Sequence, residues 1–343
     1  ADRVVMNDGG TMVQVAVTDL AAYFDDEITA MPNLTTVGAA NTLTTVAGIP
    51  FYQGDSGSIY THNVSGTDST ATDNTAYGLT ALDAITTGDN NSAFGHDALG
   101  ANTTGGENTA VGQRALATNT TASDNVGVGH SALESNTTGA NNVAVGKNSL
   151  AANTTAANNT AVGYDALNAN TTGTNNTSVG KDSLKLNTTT SNNTAVGNQS
   201  LSKTVAADNT GVGYLALVEN TTGTNNVAVG STAMYANTTG ASNVAIGYTA
   251  MQENTTGTRN IAIGANAYDA SDTENDNMAI GFNAMTTNTA GGTENIGIGN
   301  YTLDALTSGD ANTAVGFFAL SANTSANNNT AIGRKAMQQN VDG

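Results

Sequence analysis

The chain has 343 residues, of which only 11% are charged, and its nine Lys+Arg stand against 28 Asp+Glu for a net charge of −19. That excess of acid opposes binding to phosphate backbones and to anionic membrane surfaces. Cysteine is absent, which excludes disulfides and thiolate metal sites, and no run approaches the ~18 apolar residues of a membrane-spanning helix.

Residues 1–73 have a texture of their own. The first ten residues carry neither a basic start nor an apolar stretch, so no secretory signal is visible, and a processed N-terminus would look the same. Residues 11–18 alternate as a strand. Thr18 is placed to cap a short helix running to about Ala30, and Pro32 stops it. Residues 34–49 are rich in Thr, Val and Gly and suit irregular strands, and residues 53–72 read as a loop-rich lead into the first repeat.

From Asn74 onward the chain restarts variants of the phrase Asn-(Thr/Val)-Ala-(Val/Ile)-Gly sixteen times, ending on glycines from Gly78 to Gly333 at a period of seventeen residues. Two steps deviate: Gly197 to Gly213 is one residue short and Gly281 to Gly299 one long. An apolar residue returning on such a schedule separates this Asn/Thr/Gly/Ala-rich chain from a disordered one. A single short period implies a solenoid, in which each repeat buries its apolar side chains against its neighbours. The expected fold is all-β: a parallel β-solenoid or β-roll of sixteen 17-residue rungs over residues 74–343, preceded by a small mixed N-terminal segment over residues 1–73. With strands about 4.8 Å apart the rod would be on the order of 75 Å long.

Positions within a rung are counted from its glycine as zero. Position −1 is Tyr77, Phe94 and then Val or Ile in every later rung, and +4 is Leu, Met or Tyr throughout. Both columns are expected to be core, facing each other across the coil. Position −2 is always Ala, Gly or Ser, which either lets a neighbouring chain approach or reflects tight packing within one coil. Position −4 is Asn in all sixteen rungs, including Asn108, Asn142, Asn176 and Asn243, and +7 is Asn in twelve. Stacked amides of this kind can bond from rung to rung as ladders. The glycine itself marks a strand end that needs positive φ or close approach.

Position +1 varies freely and holds Tyr164, Tyr214, Tyr248, Phe282 and Phe317, with Phe318 alongside. Rings displayed along a rod could stack on sugars of a host glycan, or could cover the core or an inter-chain seam. His96 and His130 also sit at +1, too far apart for one chain to close a metal site. The recurrent Gly-x-Gly lacks the strand–helix context of a phosphate loop. Adjacent Thr residues on a strand point to opposite faces, which argues against an ice-binding array. Acids such as Asp97, Glu107 and Asp165 have no companion base. No catalytic, cofactor-binding or metal site is therefore expected, and no cofactor.

The phrases Asn142-Val143-Ala144-Val145-Gly146 and Asn243-Val244-Ala245-Ile246-Gly247 resemble the head repeats of YadA-type trimeric adhesins, left-handed parallel β-rolls, over residues 74–340. The seventeen-residue spacing departs from the shorter repeat of that family. The continuation Ala/Ser-Leu-x-x-Asn-Thr-Thr-Gly, and the N-terminal phrase from Asp2 to Ala16, more closely resemble tail-fibre and other virion-fibre proteins of bacteriophages. This resemblance implies a homotrimeric structural fibre on the exterior of a phage particle, at tail or neck, made in the host cytoplasm. Residues 1–73 would dock it to other virion proteins, and the rod would serve as spacer and as a surface for host polysaccharide. Nucleic acid and membrane insertion are not expected. A bacterial trimeric adhesin head is the alternative, and a tailspike glycosidase the enzymatic one.

Overall fold

A computed structural model describes residues 3–8, 11–16, 45–46, 49–50, 59–60, 70–288 and 291–341. The chain divides into two compact units, residues 1–51 and 52–343.

In the first unit, β1 (Arg3–Asp8) and β2 (Thr11–Ala16) form an antiparallel hairpin, and β3 (Thr45–Val46) pairs antiparallel with β4 (Ile49–Pro50). The alternation read in residues 11–18 is thus a strand through Ala16. The helix expected from Thr18 to Ala30 lies outside the described residues.

The second unit is one parallel ladder. It opens at β5 (Ile59–Tyr60) and continues through sixteen three-residue strands, from β6 (Thr75–Tyr77) to β21 (Thr330–Ile332), each paired in register with the next. The ladder therefore begins ahead of Asn74, within the stretch read as a lead-in loop. Among the described residues there is no helix. Neither irregular step disturbs the register: Thr194 faces Thr210 across the short rung, and Met278 faces Ile296 across the long one.

Only three residues per coil are strand, yet most of the coil bonds to the next one. Val143 N–H donates to Asn159 O at 2.9 Å, Leu150 N–H to Ala166 O at 3.1 Å, and Thr154 N–H to Thr171 O at 3.1 Å. Asn at −4 and +7 turns the corners inside this stack. Asn142 donates through Nδ2 to Asn125 Oδ1 (3.2 Å) and Ala156 O (2.8 Å), and its Oδ1 accepts from Asn159 N–H (3.0 Å). Asn153, at +7, donates to Asn136 Oδ1 (2.8 Å) and to the same Ala156 carbonyl (3.0 Å). The two amide columns thus meet on one backbone oxygen. Asn108, Asn176 and Asn243 are buried in the same way and donate to Ala122 O, Thr190 O and Gly257 O.

The core differs from expectation in one column. The strand side chain that points inward is −2: Ala144, Ala161, Ala195 and their equivalents are 0% exposed. The −1 column faces out, with Val145 and Val196 each 36% exposed and Ile246 40%. The +4 column is core as expected, Leu82 through Leu217 being fully buried. What faces +4 is −2: a Cβ built on Gly127 would lie 3.3 Å from Leu116 Cγ, and one on Gly297 would lie 3.2 Å from Met285 Cγ. The interior accommodates one Leu-sized residue per coil together with two small ones, at −2 and at +3, where Ala81, Ala98, Ala166 and their equivalents are also 0% exposed. A Val at −2 would overfill it. Small residues at −2 thus reflect packing within one coil, not approach by a neighbouring chain.

The +4 residues adopt φ of 47–55°. That left-handed conformation strains β-branched residues most, and the column is Leu, Met or Tyr without a single Val, Ile or Thr. Where Thr does occupy a left-handed slot, at +2, its hydroxyl donates to the preceding carbonyl, as from Thr232 to Ser231 O at 2.8 Å.

One rung solves its geometry differently. Tyr268 fills the +4 slot, fully buried, and its hydroxyl accepts from Asn277 and Asn288 amides where Ser271 interrupts the +7 column. Burial holds that phenol well above its ordinary value. Beside it Glu274, 3% exposed, accepts from Asp272 N–H (2.9 Å), Thr273 N–H (3.1 Å) and Ser271 Oγ–H (3.1 Å), and from Gly291 N–H (3.0 Å) in the following, longer rung.

Two substitutions test the ladder and its corners. Asn142→Ala leaves the Ala156 carbonyl and the Asn159 N–H each one bond short, and is expected to cost roughly 2–4 kcal/mol, read as a lowered thermal midpoint. Gly163→Ala places a Cβ 2.5 Å from Gly180 O at a φ of 139° and is expected to cost about 3 kcal/mol or more. A change below about 0.5 kcal/mol in either would contradict the amide ladder or the corner geometry.

Candidate functional site: the outward strand face and an aromatic cluster

Because −2 points inward, −3 and −1 together pave the outer face of the parallel sheet. The −1 rank is Tyr77, Phe94 and fourteen Val or Ile; the −3 rank is Thr, Ser, Val, Ile or Met. None of these 32 positions carries a charge, in a chain whose net charge is −19. Exposure along the −1 rank reaches 52% at Tyr77 in the first rung and 73% at Ile332 in the last. The face is a continuous apolar strip edged by Thr hydroxyls.

The five ring residues expected to display along the rod all point outward, from Phe317 at 38% exposure to Tyr248 at 61%. Their distribution is uneven. Lys147 Nζ lies 6.0 Å from the Tyr164 ring centroid. Phe282 and Phe317 are brought together by Tyr301, whose ring lies edge-on to both, at 5.4 and 6.1 Å. Tyr301 also stacks on Phe318 at 4.8 Å and 6°, and Phe318 meets Phe317 edge-on at 4.5 Å. The Arg334 guanidinium stands 5.6 Å from the Phe317 centroid. Tyr301 occupies +2, one slot past the +1 column, and so does not stand out among the rings of the sequence. Its left-handed φ of 57° turns it toward the +1 rings of adjacent rungs, and the recurrence of a ring at +2 in Tyr301 and Phe318 is the one signal that could have found it.

His96 and His130 are both exposed. Among the described residues no group of three or more His, Asp or Glu side chains could hold a metal ion. Asp165 is tied to Lys185 at 3.0 Å and accepts from Asn148 Nδ2 at 3.0 Å. No described helix is long and apolar enough to cross a membrane.

Comparison with protein-family models, with curated proteins and with solved structures gave no match. The fold therefore defines the class. A parallel β-solenoid of this regularity is compatible with a fibrous or adhesin-like structural repeat protein.

The aromatic cluster is open to a direct check. Tyr301→Ala removes the ring that joins Phe282 to Phe317 and is expected to cost about 1–3 kcal/mol and to collapse the near-ultraviolet dichroism of the stacked rings. Unchanged dichroism would show that the rings are not packed on one another.

Proposed function

We propose that the protein is a structural fibre of a bacteriophage particle, self-associating as a parallel homotrimer, with residues 1–73 attaching it to other virion proteins. The rod acts as a spacer on the outside of the particle, and its exposed rings, Phe282 and Phe317 above all, offer a contact surface for host polysaccharide. The observation that carries the reading is the uncharged outer strand face. A strip roughly 75 Å long and 10 Å wide amounts to about 750 Å², near the ~800 Å² per partner of a stable interface.

A second copy of the same chain is the partner that fits it. Only a surface with the same rung spacing can stay in register along sixteen repeats, and identical chains aligned in parallel match at every rung. Association also supplies dry contact for the Val and Ile rank, whose burial in the coil is precluded by the narrow interior. The resemblance of the Asn-Val-Ala-(Val/Ile)-Gly phrase to the heads of trimeric adhesins, and of the Ala/Ser-Leu-x-x-Asn-Thr-Thr-Gly continuation and the N-terminal phrase to phage virion fibres, supports the same reading.

The test is sedimentation velocity on the intact chain and on a variant carrying Val179→Asp, Val196→Asp and Ile246→Asp. The expected result is a trimer for the parent and a monomer with an unchanged β-rich dichroism spectrum for the variant, since these side chains lie outside the coil. A monomeric parent, or a variant that stays trimeric, would overturn the assignment of the strand face.

A further inference from the structure

A groove with a cavity volume of about 350 Å³ crosses four successive rungs on the part of the coil that follows the corner glycine. It is lined from +2, +5 and +6 positions, none of them on a strand. It runs through the one rung that is a residue short, which contributes Gln199, Ser202 and Lys203 and in which Val205 stands in place of the usual Thr pair. The volume falls within the range of small-ligand sites.

Its lining combines two chemistries. Leu215, lying with the buried Val218, supplies a small apolar floor, and Tyr235 contributes a ring at one end. Around them stand two ion pairs, Lys185 to Asp182 at 2.8 Å and Lys203 to Glu219 at 2.6 Å. Lys185 is shared with Asp165 at 3.0 Å, and the hydrogen bonds that its ammonium donates to the Asp182 and Asp165 carboxylates hold it above the ordinary lysine value. The charged side chains of the groove thus number two of each sign, each cation already paired. No free cation is left to bind an anionic ligand, and no unpaired carboxylate to bind a cationic one.

A mostly polar groove with a small apolar floor and a ring at one end, its donors and acceptors held in place by one another, matches the two surfaces of a pyranose, an apolar ring face and a circumference of hydroxyls. The groove spans three rung steps, about 14 Å, which suits a short oligosaccharide and not a single sugar. We propose that the groove between Asp182 and Tyr235 is a binding site for a neutral oligosaccharide. The site lies away from the aromatic cluster around Tyr301 and is built from columns other than the strand face, so association of chains through that face does not use it. It rests on the adhesive reading of the rod for its biological setting and adds to it a location and a ligand class.

Isothermal titration of the full chain with maltotriose, cellotriose, chitotriose and the anionic 3′-sialyllactose tests the proposal. At least one neutral trisaccharide is expected to bind, with Tyr235→Ala and Lys203→Ala each weakening it tenfold or more and Arg259→Ala, an exposed residue outside the groove, changing it by less than twofold. Lys203 is 48% exposed, so its variant keeps the measurement readable if Tyr235→Ala disturbs the rung. The proposal is overturned if no neutral trisaccharide binds, if sialyllactose binds tighter than all of them, or if binding survives both groove substitutions. Failure on these terms leaves the trimer measurement untouched. A monomer that still binds the sugar through the groove would sink the fibre reading and spare this one.

Discussion

The structure depends on every coil handing its hydrogen bonds to the next. A three-residue strand is too short to hold a sheet by itself, and here the strand is the smaller part of the stack. Bonds from Leu150 and Thr154 to the following coil continue the ladder around the turns, and the Asn columns close its corners where backbone groups would otherwise be buried unpaired. The cost of leaving one such group orphaned is comparable to the gain from burying an apolar side chain. This explains why the core can be as thin as two small residues and one Leu per coil.

The thin core has an outward consequence. With room inside for Ala at −2 but not for Val, the bulky strand residues are turned to the outer face, and the rod is left with an apolar strip along its length. The same constraint that shapes the coil therefore shapes its surface. Charges are confined to other columns, as in the bidentate pair of Arg259 with Asp276 at 2.6 and 2.7 Å.

The period, the glycine corners, both Asn columns and the Leu/Met column were legible in the sequence, because each is a single residue type demanded at one slot by backbone geometry or by the ladder. The phase of the strand was not. Alternation assigns −3 and −1 to one face and −2 to the other without saying which face is inside, and the usual preference for burying Val over Ala points the wrong way when the interior is this narrow. The clue was present at −3, where Thr occupies half the rungs, a poor choice for a dry core. The aromatic cluster was half legible: Phe282 and Phe317 stood out at +1, whereas Tyr301 is reached through a left-handed backbone at +2 that only the recurrence of a ring there, in Tyr301 and Phe318, hints at. The groove at the short rung depends on side chains from three columns over four rungs and has no sequence signature.

The central claim is that the whole coil, and not only its strand, is laddered to its neighbours. Amide hydrogen exchange resolved to single residues tests it most directly. Leu150 and Thr154, in the turns, are expected to be protected to within about tenfold of Val143, in the strand, since all three donate to the next coil. Fast exchange at Leu150 and Thr154 beside slow exchange at Val143 would contradict it.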